Sequence, residues 1–249
     1  MPASLMGELR PLVHRFLLGQ FEVTTILDGA LRRDGISPPF GIDQSVETVA
    51  ALAHAKRLPT GGFENTFSPT LVNTGRELVL FDTGNGAARR SNGAGFLRDR
   101  LSLAGYKPED VDIVAFTHVH PDHISGVWEG DIEAYPNARY VISAREYDAW
   151  SKGDEIPERR SENLALFQRL ISPLAEKMTF LQPGQDVVSG IQTVEAYGHS
   201  LGHLAYLVES SGESLLIWGD VTNHFVLFLQ QPDWQAAMDD DREMAVKTR

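Results

Sequence analysis

The sequence predicts an α+β fold in which two sheets pack face to face with helices outside, and three observations carry that expectation. Eight short β-rich runs close on Gly, Asn or Asp turn residues. Segments of helical periodicity separate groups of these runs instead of following each one. No Ser/Gly-rich linker, Pro run or internal repeat divides the 249 residues, so a single domain over 1–249 is expected.

The first runs, FEVTTILDG (21–29), TLVNTG (70–75) and ELVLFDTGNG (77–86), read as an antiparallel meander. Five more follow: VDIVAFT (111–117), ARYVIS (138–143), IQTVEAY (191–197), HLAYLVES (203–210) and SLLIWGD (214–220). Helices are expected over 45–56, 95–104, 144–150 and 158–176, the last with Leu164, Leu166, Phe167 and Leu170 as its apolar stripe. Ser143 is placed to cap the third helix, with Glu146 as its capping-box partner.

Composition narrows the function classes. At 42% apolar and 22% charged the chain is an ordinary globular sequence with enough apolar residues for a substantial core. Its net charge of −12, with basic pairs only in isolation, argues against a nucleic-acid surface. No stretch approaches 18 apolar residues, so no membrane span is expected, and the N-terminus lacks a basic start followed by an apolar run and a cleavage site; a cytoplasmic protein is expected. The absence of cysteine excludes disulfides and restricts any metal to nitrogen and oxygen ligands.

Such ligands are concentrated in FTHVHPDHISG (116–126). Three of the chain's eight histidines and an aspartate lie there as His118-x-His120-x-Asp122-His123, directly after a strand. Residues two apart in extended chain share a face, so His118 and His120 can address one point. Pro121 then turns the chain and points Asp122 and His123 elsewhere, which suits two adjacent ions. Further ligands should also follow strands, as His199 and Asp220 do. A carboxylate has two oxygens and can bridge a pair of cations, the role expected of Asp220.

Other residues have two readings. Asp82 either holds the cluster from behind or stabilises a turn, and His203 is expected behind the ligands or in a structural role. Asn223 and His224 follow Asp220 closely enough to face a substrate, or not to. Phe63, Phe67, Trp128 and the run 225–229 are candidates for an apolar pocket wall or for core. His14 and His54 read as ordinary surface or core histidines.

The apolar strand ending in DTG at Asp82, HVHPDH at 118–123, GHSLGH at 198–203 and GD at 219–220 together resemble the metallo-β-lactamase superfamily, in its order. The resemblance implies an αβ/βα four-layer sandwich with metals at one edge between the sheets. It implies one ion on His118, His120 and His199, another on Asp122 and His123, and Asp220 between them. The N-terminal FLLGQFEVTTILDG and the later WGDVTNH look like the branch of lactonases and methyl parathion hydrolase-type esterases. Four departures stand out. The family's last histidine ligand lies a few dozen residues beyond the bridging aspartate, whereas here only His224 follows Asp220, so that C-terminal segment is expected to be absent. Homoserine-lactone lactonases carry a tyrosine where this chain has Asn223. No cysteine serves as the ligand used by the commonest class B β-lactamases, and the glutathione-binding region of glyoxalase II is not expected after Asp220.

The implied activity is hydrolysis of an ester, lactone or related bond of a small molecule by a metal-bridging hydroxide, with Asp122 or Asp220 taking the proton. Two divalent cations are expected, zinc foremost, with manganese, iron and cobalt also compatible. A homodimer is left open. The alternatives are a mononuclear iron enzyme of the persulfide dioxygenase type and a non-catalytic metal-binding protein.

Overall fold

A computed structural model describes residues 3–5, 9–36, 39–59 and 61–249. Strands β1 (Val13–Leu18) and β2 (Phe21–Ile26) form a hairpin, and β3 (Gly29–Arg33) pairs with β4 (Phe63–Phe67) across helix α1 (Val46–Ala55). Strands β5 (Thr70–Asn73) and β6 (Leu78–Phe81) continue from β2 as the antiparallel meander the sequence predicts. Helix α2 (Leu97–Arg100) leads to β7 (Ile113–Ala115), α3 (Pro121–Ile124), the short pair β8 (Trp128–Glu129) and β9 (Ile132–Glu133), and β10 (Arg139–Ser143). Helices α4 (Ala144–Lys152) and α5 (Ser161–Leu170) precede β11 (Met178–Leu181). The chain then passes through β12 (Asp186–Val188), β13 (Ile191–Glu195), β14 (Leu204–Ser210), β15 (Glu213–Ile217), α6 (Leu227–Gln230) and α7 (Arg242–Thr248).

Two sheets build the sandwich. The larger has the order β1-β2-β5-β6-β7-β10-β11, and the smaller runs β12-β13-β14-β15. Alternation along the strands sorts side chains into layers. In β6, Val79 and Phe81 face the smaller sheet and meet Leu204, Tyr206 and Val208 of β14. Leu78 and Leu80 point the other way, into a layer closed by Leu97, Trp150 of α4 and Phe167 of α5. Each such large apolar side chain contributes about 1.5–3 kcal/mol on burial. A third cluster seats α1 and α6 around Phe40, Phe228 and Trp234.

All eight expected strands are present. Strands β1, β3, β4, β8, β9, β11 and β12 are additional, and they are short or polar: β1 leaves His14, Arg15, Phe16 and Leu17 exposed at a sheet edge. The helix expected over 158–176 is interrupted: it stops at Leu170, and Ser172 with Pro173 opens a separate 3-10 turn. Ser143 caps α4 as expected, accepting a hydrogen bond from the Glu146 N–H. The Glu146 carboxylate, however, turns into the protein; it accepts from the Val119 and Gly202 N–H groups and from Ser200 Oγ. Among the described residues, no helix is long and apolar enough to cross a membrane.

The parallel core of the larger sheet positions the histidine cluster. Strand β7 pairs in parallel with β6 on one side and β10 on the other. The C-terminal ends of β6 and β7 therefore deliver Asp82 and His118 to the same sheet edge, the edge where α/β sheets place their ligands.

Candidate metal centre

After β7 the chain stays extended, and His120 (φ −68°, ψ 157°) stands just before Pro121, the first residue of α3. His118 and His120 share a face as expected, with ring centroids 4.5 Å apart. The smaller sheet supplies the rest: His199 follows β13 and Asp220 follows β15.

Two groups of donors converge. Ligand atoms of His118, His120 and His199 lie within 4.8 Å of one another, as do those of His118, His123 and Asp220. Asp220 addresses both groups, with Oδ2 3.4 Å from His199 Nε2 and Oδ1 3.4 Å from His123 Nε2. Asp122 stands at the outer rim, its Oδ2 3.7 Å from His123 Nε2, outside the closely spaced atoms of His118, His123 and Asp220.

Each histidine turns one ring nitrogen inward and has an oxygen against the other. Thr117 Oγ1 lies 3.0 Å from His118 Nδ1, and Asp82 Oδ2 lies 2.8 Å from His123 Nδ1. Asp240 Oδ2 lies 3.1 Å from His120 Nε2, and Asp239 Oδ1 lies 3.0 Å from His199 Nδ1. This is how proteins orient imidazoles toward a metal. The inward His118 Nε2 is buried and has no partner, and His120 Nδ1 stands 2.9 Å from His199 Nε2. Buried nitrogens aimed at one another without an acceptor suit a bound cation, so the residues fit a pair of divalent metal ions.

For His118 and His120, electrostatics agree with ligation. Burial, reinforced by neighbouring imidazoles, lowers His118 well below the usual histidine range and pushes His120 down to about 3, so both rings are neutral and have a lone pair to offer. Burial also opposes charge on His123, but Asp82, Asp220 and Asp122 outweigh it and raise that ring well above the ordinary value. Asp220 is held well below the carboxylate range: burial works against its charge, and His123 and His199 prevail.

The remaining expected residues sort themselves. Asp82 adopts a left-handed φ of 61° and accepts from the Thr117 N–H and Oγ1 as well as facing His123, so its carboxylate lies behind the cluster. His203 Nε2 accepts from the Asp220 N–H and steadies that backbone. Asn223 Nδ2 donates to Asp220 Oδ2 at 2.8 Å and lines the cavity. His224 does not line it; its Nδ1 accepts from the Val226 and Leu227 N–H groups, and its ring packs on Phe40 and Phe63.

The centre forms the floor of a cavity of about 620 Å³ that reaches Asp82, His120, Asp122, His123, His199 and Asp220. Phe63 and Phe67 are in its wall. Trp128 is not, since its indole N–H donates to the Leu170 carbonyl against the helical layer. In the run 225–229, Leu227 and Phe228 are core, and Phe225 and Leu229 face solvent.

Sequence reasoning missed Asp239 and Asp240, and it misread Glu146. The only signal was the acidic run 239–241, which resembles a solvated helix start; indeed Asp241 does cap α7. Nothing local says that its two neighbours turn inward.

Comparison with known proteins agrees with this architecture. Residues 68–243 match the family model described as the metallo-beta-lactamase superfamily. An N-acyl homoserine lactonase of Bacillus cereus is 30% identical over 117 residues, covering 47% of this chain and 40% of that protein. A probable metallo-hydrolase of Methanocaldococcus jannaschii is 26% identical over 149 residues, covering 58% and 66%. The chain thus matches less than half the length of the Bacillus lactonase. Among solved structures, AidC, a dizinc quorum-quenching lactonase in complex with a product, superposes with a TM-score of 0.86 at 25% identity, covering 95% of this chain and 83% of that one. The hydrolase AbOPH shares the fold at a TM-score of 0.88 and 24% identity, covering 97% and 84%. With the family match spanning most of its length and the donor set in place, the chain belongs to the metallo-beta-lactamase superfamily.

Proposed function

We propose that this chain is a metal-dependent hydrolase that cleaves an ester, lactone or related bond of a small molecule, with zinc ions at both donor groups. The observation that carries the reading is Asp220, whose two oxygens face the two groups at the floor of an open cavity. Divalent ions held there would supply Lewis acidity toward the scissile carbonyl or phosphoryl oxygen and lower the pKa of water.

The residues around them do the rest. Asp122, at the rim with its side chain 33% exposed, is accessible to accept a proton from water and return it to the leaving group. Asn223 holds Asp220 in orientation. Phe63 and Phe67 present an apolar wall to the non-reacting part of the substrate, and the net charge of −12 favours a neutral one. Two built donor groups support a two-ion centre over a mononuclear iron one.

Elemental analysis followed by assay against aryl esters, lactones and phosphotriesters tests the reading. About two zinc ions per chain, with turnover lost from His118→Ala and Asp220→Ala together with the metal, is the expected result. A folded Asp220→Ala protein that is poor in metal yet turns over like wild type would sink it. Iron, with oxygen consumed on adding a persulfide, would redirect it to the dioxygenase class.

A further inference from the structure

We propose that Asp239 and Asp240 are positioning residues of the metal centre, fixing which ring nitrogen of His199 and of His120 faces the ions. The proposal rests on the metal reading above. His118 and His123 are held by Thr117 and Asp82, which lie on the two adjacent parallel strand ends. His120 and His199 are held otherwise. Their outer nitrogens meet two consecutive aspartates that are 120 and 40 residues away along the chain.

Proton bookkeeping gives the pair its meaning. An ionised carboxylate only accepts hydrogen bonds, so the proton of His120 must sit on Nε2 and that of His199 on Nδ1. The bare lone pairs of His120 Nδ1 and His199 Nε2 then confront each other at 2.9 Å. That contact is repulsive by itself and becomes favourable only around a cation. With the opposite tautomers, an N–H would block the site.

Both aspartate side chains are completely buried, an arrangement that needs cationic partners. Arg159 Nη2 and Arg160 Nε reach Asp240 Oδ1 at 3.1 and 2.8 Å, and Arg249 Nη1 reaches Asp239 Oδ2 at 3.0 Å. The segment is also registered by its backbone, since the Asp240 and Asp241 N–H groups donate to the His199 and Gly198 carbonyls. Asp241 shares this anchoring but touches no histidine ring; its side chain accepts from the Met244 N–H.

The experiment compares Asp239→Ala, Asp240→Ala and the isosteric Asp239→Asn and Asp240→Asn with Asp241→Ala in the full chain. Zinc affinity is read by chelator competition, folding by circular dichroism, and tautomers by nitrogen-15 NMR of the histidine rings in the zinc-free protein. Wild type should show Nδ1–H on His199 and Nε2–H on His120. The alanine variants should lose about 10–100-fold in zinc affinity together with their fixed tautomer. The asparagine variants should lose less while staying folded, and Asp241→Ala should keep wild-type affinity. Wild-type zinc affinity in the folded Asp239 and Asp240 variants, or an equal loss in Asp241→Ala, would overturn the proposal. If wild type itself bound no divalent metal, the parent reading would fall with it.

Discussion

The inner and outer donor groups of the centre share His118 yet are built on opposite terms. The inner group, His118, His120 and His199, is at most 3% exposed, and its rings are held by Thr117 and by two buried aspartates tied to arginines. The outer group leans on His123 and Asp220, and beside it at the cavity stands Asp122, its side chain one-third exposed. Enclosed imidazoles make a rigid seat, whereas a carboxylate-rich rim leaves an acidic side chain open to a reacting molecule. Holding an ion and presenting one are separate tasks, assigned to neighbouring residues.

Both groups depend most on His118 and Asp220, which face the two of them. His118→Ala and Asp220→Ala should each lower turnover by about 10³-fold or more, with metal content falling in parallel. Next in size, Asp122→Asn, which removes the proton acceptor at the rim but lies outside the converging donor triad, should cost about 10²-fold in kcat with metal content retained; loss of an ion from that variant would show that Asp122 ligates it. Glu146→Ala bears on the rigidity of the inner group. It leaves three buried donors from two ligand-bearing loops without a partner, and denaturant unfolding should show a loss of about 3 kcal/mol. Asn223→Ala, which frees Asp220 Oδ2, should lower kcat about tenfold with little change in stability. The smallest effect is expected from Phe67→Ala, a rise in KM for apolar esters by a few-fold with kcat unchanged.

Much of this centre was legible because its chemistry is local. His118, His120, Asp122 and His123 sit within six residues, and His199 and Asp220 follow strands whose apolar runs are plain. The eight strongest strands were readable for the same reason. Elements such as β1 were not, because His14 to Leu17 bury little and pairing with β2 supplies what their side chains do not. Glu146 fits a capping box by spacing, but the buried N–H groups of Val119 and Gly202 compete for its carboxylate and win. Asp239 and Asp240 look like a solvated acidic run until the fold brings Arg159, Arg160 and Arg249 to them. Long-range partners decide such positions, and spacing along the chain has no access to them.

The inner group draws His118 and His120 from the end of a strand in the larger sheet and His199 from the end of one in the smaller. An ion held there is a staple between the two sheets, joining positions 79 residues apart in a chain that has no cysteine with which to make a covalent cross-link. Closing so long a loop is worth about 4.5 kcal/mol on the scale established for disulfides. A divalent ion there would therefore set how far the sheets can separate as the protein unfolds, and the metal-free form should melt earlier even though every apolar contact between the sheets is intact.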